Sequence, residues 1–248
     1  MTNNKVALVT GSSRGIGRAT AYELAKRGYD VIINYHKNKK PAEDLIRRIK
    51  TDFNVKTALF CADVSKENDI KLMVDEIKKD FGRVDVLVNN AGIAIDCDFK
   101  DKTVENFIKT ISVNLIGPFL MAKYVAPLML EQKSGKIINV SSNNATTCFY
   151  PTSADYDASK AALDNLTKNM AIEYAPYINV NAVAPGWVDT DMNKDIFADE
   201  EVKRLECERI LVKRFAEPEE IAKVIAFLAS SDADYINGTV ITVDGGVR

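Results

Sequence analysis

Residues 6–17 read Val-Ala-Leu-Val-Thr-Gly-Ser-Ser-Arg-Gly-Ile-Gly, and a helix-like pattern follows directly. The apolar run predicts a buried strand, and the glycines predict a tight turn into the helix. At the start of a helix the backbone N–H groups point outward, and the helix dipole favours negative charge. Glycines in such a turn also let the backbone approach a pyrophosphate closely. The stretch therefore predicts a phosphate cradle; the plainer alternative is a tight strand–helix turn without a ligand.

Two other glycine motifs are disfavoured. The turn has no Gly-Lys-Ser/Thr sequence, which argues against the P-loop of nucleoside-triphosphate-binding proteins. Residues 11–15 also match the G-x-S-x-G nucleophile elbow of hydrolases, which needs an acid and then a histidine later in the chain. The only histidine, His36, follows the second predicted strand and comes too early for that role. A single histidine also weakens any histidine-based metal site, so no metal is expected.

The rest of the chain alternates strand-like runs with helical patterns. Most strand-like runs are continuously apolar, as in parallel strands buried on both faces. No linker or repeat interrupts the alternation, so residues 1–248 are expected to form a single doubly wound (Rossmann) α/β domain, with a parallel seven-stranded sheet and helices on both faces. Strands are predicted at 6–10, 31–34, 57–61, 84–88, 136–140, 179–183 and 240–243, and helices near 16–27, 40–52, 66–80, 103–131, 155–174 and 218–229.

Composition narrows the classes of function. The 248 residues are 46% hydrophobic and 27% charged, and the net charge of −2 predicts no general attraction to nucleic acid or to an anionic membrane. No stretch approaches the roughly 20 apolar residues of a membrane span, and no signal-peptide core opens the chain. The cysteines are far apart, which is typical of reduced thiols in a cytoplasmic protein. They are Cys61, Cys97, Cys148 and Cys207.

The end of the second predicted strand bears on the choice of dinucleotide. In dinucleotide-binding folds an acidic residue there binds the ribose 2′-OH and selects NAD. Residues 31–40 contain no carboxylate, whereas Arg14, His36 and Lys37 could meet a 2′-phosphate. A solvated basic loop is the alternative. The sequence therefore favours NADP(H) over NAD(H).

Tyr156 and Lys160 are four residues apart in a predicted helix. This spacing places both side chains on one face of the helix. An ammonium beside a phenol favours the phenolate, so the pKa of Tyr156 is expected to fall below its usual value of about 10. Such a phenol can exchange a proton with an alcohol or a carbonyl. Taken alone, the pair is also common on solvated helix faces.

Together these motifs resemble the short-chain dehydrogenase/reductase family over essentially the whole chain, and most closely its bacterial 3-oxoacyl-[acyl-carrier-protein] reductases of fatty acid biosynthesis. Each motif alone is weak, but the ordered set is specific. The matching residues are Thr10-Gly11, Gly15, Gly17, Asp63-Val64, Asn89-Asn90-Ala91-Gly92, Asn114, Ser142, Tyr156, Lys160, Pro185-Gly186, the stretch 181–192 and Asp244-Gly245-Gly246.

The resemblance implies a role for each catalytic position. Tyr156 is the acid/base, and Ser142 hydrogen-bonds the substrate carbonyl. Lys160 binds the nicotinamide ribose, and Asn114 completes a proton relay through water. Asp63 and Asn90 are expected on the adenosine side, and Val188 and Thr190 at the nicotinamide carboxamide. The full set implied for the cofactor is Gly11, Ser13, Arg14, Gly15, Ile16, Gly17, Tyr35, His36, Lys37, Asp63, Val64, Asn90, Ala91, Gly92, Tyr156, Lys160, Pro185, Gly186, Val188 and Thr190.

Pro118 lies four residues after Asn114 in the same predicted helix. A proline has no N–H to donate to the carbonyl four residues earlier, and it tends to kink a helix there. We therefore expect the helix to be disturbed at Asn114, leaving a carbonyl that can anchor the relay water.

The substrate is less well specified. The family relationship favours a ketone, above all a 3-oxoacyl thioester, either as a small molecule or bound to a carrier protein. Residues 143–155, which should wall the substrate pocket, depart from the reductases. The end of the Tyr156 helix also lacks their arginine, although Lys133 and Lys136 could supply positive charge. A sugar, polyol or small-alcohol dehydrogenase stays open, and a non-catalytic NADPH-binding regulatory protein is the remote alternative.

Two further expectations concern shape. Residues 189–214 are charged and follow the sixth predicted strand, so they form either a substrate lid or an ordinary helical insertion. The resemblance also implies a homotetramer, built through the two long helices near 103–131 and 155–174 and the last strand.

Overall fold

The computed structural model describes residues 4–147, 150–194 and 198–247. Its seven strands form one sheet in the order β3-β2-β1-β4-β5-β6-β7, and every neighbouring pair is parallel. The predicted doubly wound fold is therefore confirmed. The strands are β1 (Val6–Val9), β2 (Asp30–Tyr35), β3 (Thr57–Cys61), β4 (Val86–Asn89), β5 (Gly135–Val140), β6 (Ile178–Pro185) and β7 (Val240–Val243).

Helices cover both faces of this sheet, and each face has its own apolar core. One core includes Leu24, Ile33 and Ile225, and the other includes Ile70 and Met121, each 0% exposed. The strands supply alternate side chains to the two cores, which is why their sequences are apolar throughout. The helices are α1 (Gly15–Lys26), α2 (Lys39–Asp52), α3 (Glu67–Asp80), α4 (Val104–Ile111), α5 (Gly117–Gln132), α6 (Ala154–Glu173), α7 (Glu200–Arg209) and α8 (Pro218–Leu228).

The predicted long helix near 103–131 is interrupted. A π-helical turn, Ser112–Ile116, separates α4 from α5, and the Gly117 N–H donates to the carbonyl of Ser112, five residues back. Pro118 follows immediately and has no N–H for the carbonyl of Asn114. The helix is thus disturbed at the position that the proline predicts.

The helical segment from α4 to α5 is unusually apolar. Among the described residues, Val104–Gln132 has the length and mean hydropathy, 1.4, of a possible membrane span. The sequence expectation that no stretch approaches such a span was therefore too strong. However, 56% of the apolar window is buried inside the protein, and Met121 and Met129 are fully enclosed. A helix that packs on several sides must be apolar on several sides, so core packing accounts for its composition.

The topology places a crevice at the carboxyl edge of the sheet. β1 pairs with β2 on one side and with β4 on the other, so the chain connections diverge to opposite faces from this point. Ligands of open α/β sheets bind at such a switch point. The loops after β1, β4, β5 and β6 meet there.

Candidate active site

The turn after β1 is held open by side chains from the neighbouring strands. Gly11 donates its N–H to Asn34 Oδ1 at 3.1 Å, and the side-chain amide of Asn90 donates to the carbonyls of Thr10 and Gly11 at 2.8 and 3.2 Å. Thr10 Oγ1 accepts the backbone N–H groups of Asn90 and Ala91, both at 3.0 Å. The cradle is therefore braced by the ends of β2 and β4.

These contacts refine two expectations. Asn34 was not anticipated as a site residue; its signal was a polar side chain at the end of an apolar strand, and it is 1% exposed. Asn90 was expected beside adenosine, but both contacts of its amide nitrogen are to the cradle backbone. Its amide therefore braces the turn after β1, and a contact with adenosine stays a prediction.

Two glycines of the cradle are required by close approach and by backbone geometry. A Cβ on Gly17 would collide with Asn90 Nδ2 and lie 2.8 Å from the carbonyl oxygen of Gly11. Gly15 has a φ of +53° and faces Thr190, where a Cβ would lie 3.3 Å from Thr190 Cγ2. The turn thus packs closely on the Asn90 side chain and meets the loop that follows β6.

The residues expected at the adenosine end lie at the ends of β2 and β3. Asp63 Oδ1 accepts the N–H and hydroxyl of Ser65 at 2.9 and 2.7 Å, and Asp63 Oδ2 is 3.7 Å from His36 Nε2. Burial would raise the pKa of Asp63, but the Ser65 hydrogen bonds and the nearby His36 and Lys66 outweigh it, so the pKa is lowered. Asp63 is thus an anion, fixed and oriented at this edge.

The other predicted residues of this end fall into two groups. Arg14, His36 and Lys37 are exposed, so they are available to a phosphate. Tyr35 is buried in the core cluster at 8% exposure, so its side chain packs inward, and its contact with a cofactor stays a prediction. Val64 is also buried, at 6%, and would contact a Cβ placed on Gly117, which makes it a packing residue.

Ser142 and Tyr156 face each other across the crevice. Ser142 follows β5 and accepts the N–H of Asn144 at 3.2 Å, and Tyr156 lies in the first turn of α6. Burial raises the pKa of Tyr156 to about 12; the hydrogen bond with Ser142 lowers it, and the charges of Asp157 and Asp96 raise it further. The phenol is therefore neutral near pH 7.

Lys160 is placed behind the phenol ring. Its Nζ donates to the carbonyl of Val140 at 2.7 Å and lies 5.5 Å from the centre of the Tyr156 ring. Burial lowers the pKa of Lys160 to about 8, opposed in part by Asp164. The expectation that the pKa of Tyr156 falls below its usual value is wrong for this structure, because burial raises this pKa by more than its partners lower it.

Asn114 lies in the π-helical turn and is fully buried. Its side chain pairs with the backbone of Ile93: Oδ1 accepts the N–H and Nδ2 donates to the carbonyl, both at 2.9 Å. Nδ2 also donates to Ser159 Oγ at 3.1 Å. A Cβ on Gly92 would lie 3.4 Å from Asn114 Oδ1 and 3.7 Å from Lys160 Nζ. Asn114 therefore reaches the Lys160 side of the crevice.

The loop after β6 borders the same crevice. Gly186 donates its N–H to the carbonyl of Val243 at 3.1 Å, and Val188 forms a parallel bridge with Ala216. Asn193 Nδ2 donates to the Val188 carbonyl at 2.8 Å. The base of the insertion 189–214 is thus tied to the sheet. The remaining cofactor candidates, Ser13, Ile16 and Pro185, lie in the cradle, at the start of α1 and at the end of β6.

A contact that the sequence did not reveal joins this insertion to the substrate wall. Glu206 Oε2, on α7, accepts the Tyr150 hydroxyl and the Trp187 indole N–H, each at 2.9 Å. The Tyr150 and Trp187 rings meet edge to face at 5.7 Å between centroids. We call Tyr150, Trp187 and Glu206 the α7 latch. Residues 148–149 and 195–197, which belong to the predicted wall and lid, lie outside the described residues, and so does Cys148.

Lys136 and three of the cysteines, which the sequence also singles out, lie in described parts of the chain. Lys136 Nζ pairs with Asp234 at 2.6 Å and with Asn179 Oδ1 at 3.0 Å, so its charge is already engaged. Cys61, Cys97 and Cys207 are free thiols. Within the described ranges no group of three His, Cys, Asp or Glu side chains is arranged to hold a metal ion.

Comparison with known proteins adds relatives of several activities. A family model described as enoyl-(acyl carrier protein) reductase matches residues 11–248. A 3-oxoacyl-[acyl-carrier-protein] reductase FabG of Staphylococcus epidermidis is 44% identical over 245 residues, 98% of this chain and 99% of that protein. A 3beta-hydroxysteroid dehydrogenase 1 of Eggerthella lenta is 39% identical over 246 residues, covering 98% and 93%. A gluconate 5-dehydrogenase structure from Burkholderia cenocepacia, in complex with NADP and tartrate, has a TM-score of 0.92 at 34% identity, covering 98% and 95%.

The fold, the cradle and the Ser142–Tyr156–Lys160 group define a nicotinamide-dependent oxidoreductase that acts on CH–OH or carbonyl groups. With the family match and these full-length relatives, the chain belongs to the short-chain dehydrogenase/reductase family.

Proposed function

We propose that this protein is an NADPH-dependent carbonyl reductase. The observation that carries the proposal is the neutral Tyr156 phenol, hydrogen-bonded to Ser142 and backed by Lys160, at the edge of the sheet that also holds the cradle. A neutral phenol is the form that donates a proton. Two hydroxyl donors at one point suit an oxygen on which negative charge develops.

The residues fit a nicotinamide dinucleotide. The cradle presents helix N-terminal N–H groups, and its Gly17 position has no space for a side chain. A reduced nicotinamide bound along this edge supplies the hydride that adds to the carbonyl carbon. Ser142 then holds the carbonyl oxygen, and Tyr156 gives its proton to that oxygen as the alcohol forms. Lys160 stabilises the phenolate left on Tyr156.

NADPH is preferred over NADH in this proposal. Residues 31–40 contain no carboxylate, and the exposed Arg14, His36 and Lys37 lie on the turns after β1 and β2, where a ribose 2′-substituent is expected. A phosphate there gains charge-assisted hydrogen bonds, whereas a 2′-OH finds no acidic acceptor at the carboxyl end of β2.

For the substrate we propose a 3-oxoacyl thioester. Support comes from the relatives named 3-oxoacyl-[acyl-carrier-protein] reductase, which match nearly the whole chain. The hydroxysteroid and gluconate dehydrogenases among the similar proteins keep steroid, sugar and small-alcohol substrates as competitors. The aromatic wall of Tyr150 and Trp187 suits an apolar acyl group better than a polyol.

NADPH consumption with a substrate panel tests the proposal. The panel contains acetoacetyl-CoA, an acetoacetyl thioester on acyl carrier protein, a 3-ketosteroid, 5-ketogluconate and simple ketones, each also measured with NADH. We expect the highest kcat/KM with an acetoacetyl thioester and NADPH. Preference for the steroid or the sugar acid would reassign the substrate, and NADH preference would overturn the cofactor assignment.

Assembly and location belong to the same proposal. Phe99, Val104, Phe107 and Ile108 are exposed by 39–73% around an apolar depression of about 300 Å³ on the surface of α4. A second copy of the chain in a homotetramer would cover these exposed apolar side chains. Light scattering should give the mass of a tetramer. We place the enzyme in the cytoplasm, where NADPH and reduced thiols are available.

A further inference from the structure

A buried ion pair lies directly behind the first turn of α6. Lys102 Nζ is 2.8 Å from Asp155 Oδ1, and the two side chains are 5% and 0% exposed. The same ammonium donates to the carbonyls of Ile95 and Thr152. The second carboxylate oxygen, Asp155 Oδ2, accepts the Thr110 hydroxyl at 2.7 Å. Both charges are therefore enclosed, and both have partners fixed by the fold.

Each partner of Asp155 belongs to an element that carries part of the proton-transfer group. Asp155 precedes Tyr156 in α6. Thr110 lies on α4, which leads into the π-helical turn with Asn114. Lys102 ends the loop after β4, and the Ile93 backbone of that loop holds the Asn114 side chain. The Asp155 carboxylate is thus the common contact of three segments that meet at the reacting atoms.

Stability alone is a weak reason for such a pair. Removing two charges from water costs about as much as their attraction returns, and packed apolar residues of similar size often do as well. The pair instead fixes geometry, because one oxygen of the carboxylate accepts the Thr110 hydroxyl and the other forms the ion pair with Lys102, whose ammonium also donates to two carbonyls. Asp155 also lies in the first turn of α6, where the helix dipole favours a carboxylate.

We propose that Lys102, Asp155 and Thr110 are positioning residues, which hold Tyr156 and Asn114 in register for proton transfer during carbonyl reduction. This inference rests on the proposed function. None of the three reaches the reacting atoms; they act through the segments that they join. The cradle around Gly11–Gly17 is built on other contacts, so binding of the cofactor phosphates there does not depend on this network. Misplacing a reacting group by about 1 Å can cost on the order of 10²-fold in rate.

Steady-state kinetics with NADPH and the best ketone substrate test the proposal. Thr110→Val removes the donor to Asp155 at nearly constant volume, and Thr110→Ser retains it. Lys102→Met removes the ammonium but keeps a similar chain length. We expect kcat to fall about tenfold for Thr110→Val and further for Lys102→Met, with KM for NADPH within about twofold. Thr110→Ser should restore most of kcat.

A second ion pair provides the matched control for lost stability. Arg83 and Asp85 pair at 2.6 Å, with Asp85 8% exposed, immediately before β4 at the opposite edge of the sheet. Asp85→Asn should lower the thermal midpoint without lowering kcat.

The outcomes separate the two proposals. If the parent reduces no carbonyl, the proposed function fails, and this inference fails with it. If the parent is active while folded Thr110→Val and Lys102→Met keep its kcat, the positioning role alone is wrong. It is equally wrong if Asp85→Asn lowers kcat as much, because general destabilisation would then explain the loss.

Discussion

The Lys160 ammonium lies 5.5 Å from the centre of the Tyr156 ring, and its hydrogen bond goes to the Val140 carbonyl at 2.7 Å instead of to the phenol oxygen. At this distance the ammonium does not offset the effect of burial, which raises the pKa of the phenol to about 12. It is well placed to stabilise the phenolate after the proton has left. Tyr156 therefore starts each reduction as an acid, and Lys160 supports the product of the proton transfer.

This arrangement predicts which group controls the alkaline side of the pH profile. Because burial lowers the Lys160 pKa to about 8, its charge is present below that pH and is lost above it. Tyr156 stays protonated over the same range. At subsaturating NADPH, kcat/KM for reduction reports the free enzyme, so it should be level below pH 8 and fall above it. The Lys160→Arg variant keeps its positive charge above pH 8, so its kcat/KM should not fall there, even if the variant is slower than the parent enzyme. A parent profile that stays level to pH 10 would contradict the assignment.

Substitution of Gly17 should impair cofactor binding and leave the chemical step largely intact. In Gly17→Ala the new Cβ displaces the Asn90 amide that braces the carbonyls of Thr10 and Gly11. We expect KM for NADPH to rise about tenfold or more, roughly the effect of losing one strong hydrogen bond, with a smaller change in kcat. Asn90→Ala removes the same brace and should show the same defect. If the double variant were no worse than either single variant, the shared cause would be confirmed; full additivity would argue against it.

The α7 latch predicts an effect on substrate. Glu206→Ala removes the acceptor shared by Tyr150 and Trp187, so α7 holds the substrate wall less firmly, through contacts such as the 3.2 Å hydrogen bond from Arg209 to the Tyr150 hydroxyl. KM for the ketone should rise about tenfold, comparable with one hydrogen bond to a charged group, while KM for NADPH changes little. Glu208→Ala is the matched control, since Glu208 is 57% exposed and pairs with Arg204 on the same helix. Equal effects of the two substitutions would show that the latch has no special role.

Substitution of Arg14 should weaken the preference for NADPH over NADH. Arg14 is exposed beside the cradle, and its charge lies close enough to Asp191 to lower that carboxyl's pKa, after the hydrogen bond from Lys194. Arg14→Ala should raise KM for NADPH about tenfold and leave KM for NADH nearly unchanged, because only NADPH carries the 2′-phosphate. Arg27→Ala, at the other end of α1 and paired with Glu23 at 3.0 Å, should change neither constant. A parallel rise for both cofactors would mean that Arg14 does not read the phosphate.

Much of the fold was predictable because its signals are local. The third strand, 57–61, and the last strand, 240–243, were predicted with the bounds that the structure shows, and Pro118 marked the disturbed helix. The glycine spacing likewise predicted the cradle. Each depends on residues close together in the chain, where hydrophobic period and backbone chemistry decide the conformation.

The features that escaped prediction depend on distant contacts. Asn34 braces the cradle only because β2 lies beside β1, and Glu206 meets Tyr150 only because α7 folds back over the crevice. The pKa of Tyr156 was predicted in the wrong direction because the spacing to Lys160 is visible in the sequence, whereas burial of the hydroxyl is not. Tyr35 follows the same pattern: its place at a strand end is readable, but the face it occupies is not.

The central claim is that Tyr156 supplies the proton in carbonyl reduction, and Tyr156→Phe tests it most directly. The measurement pairs NADPH oxidation with acetoacetyl-CoA and NADPH binding by fluorescence titration. Loss of a general acid typically costs about 10²–10⁴-fold, so kcat should fall by that factor while the NADPH Kd stays within about twofold. A Tyr156→Phe variant that binds NADPH normally and keeps the parent's kcat would contradict the account.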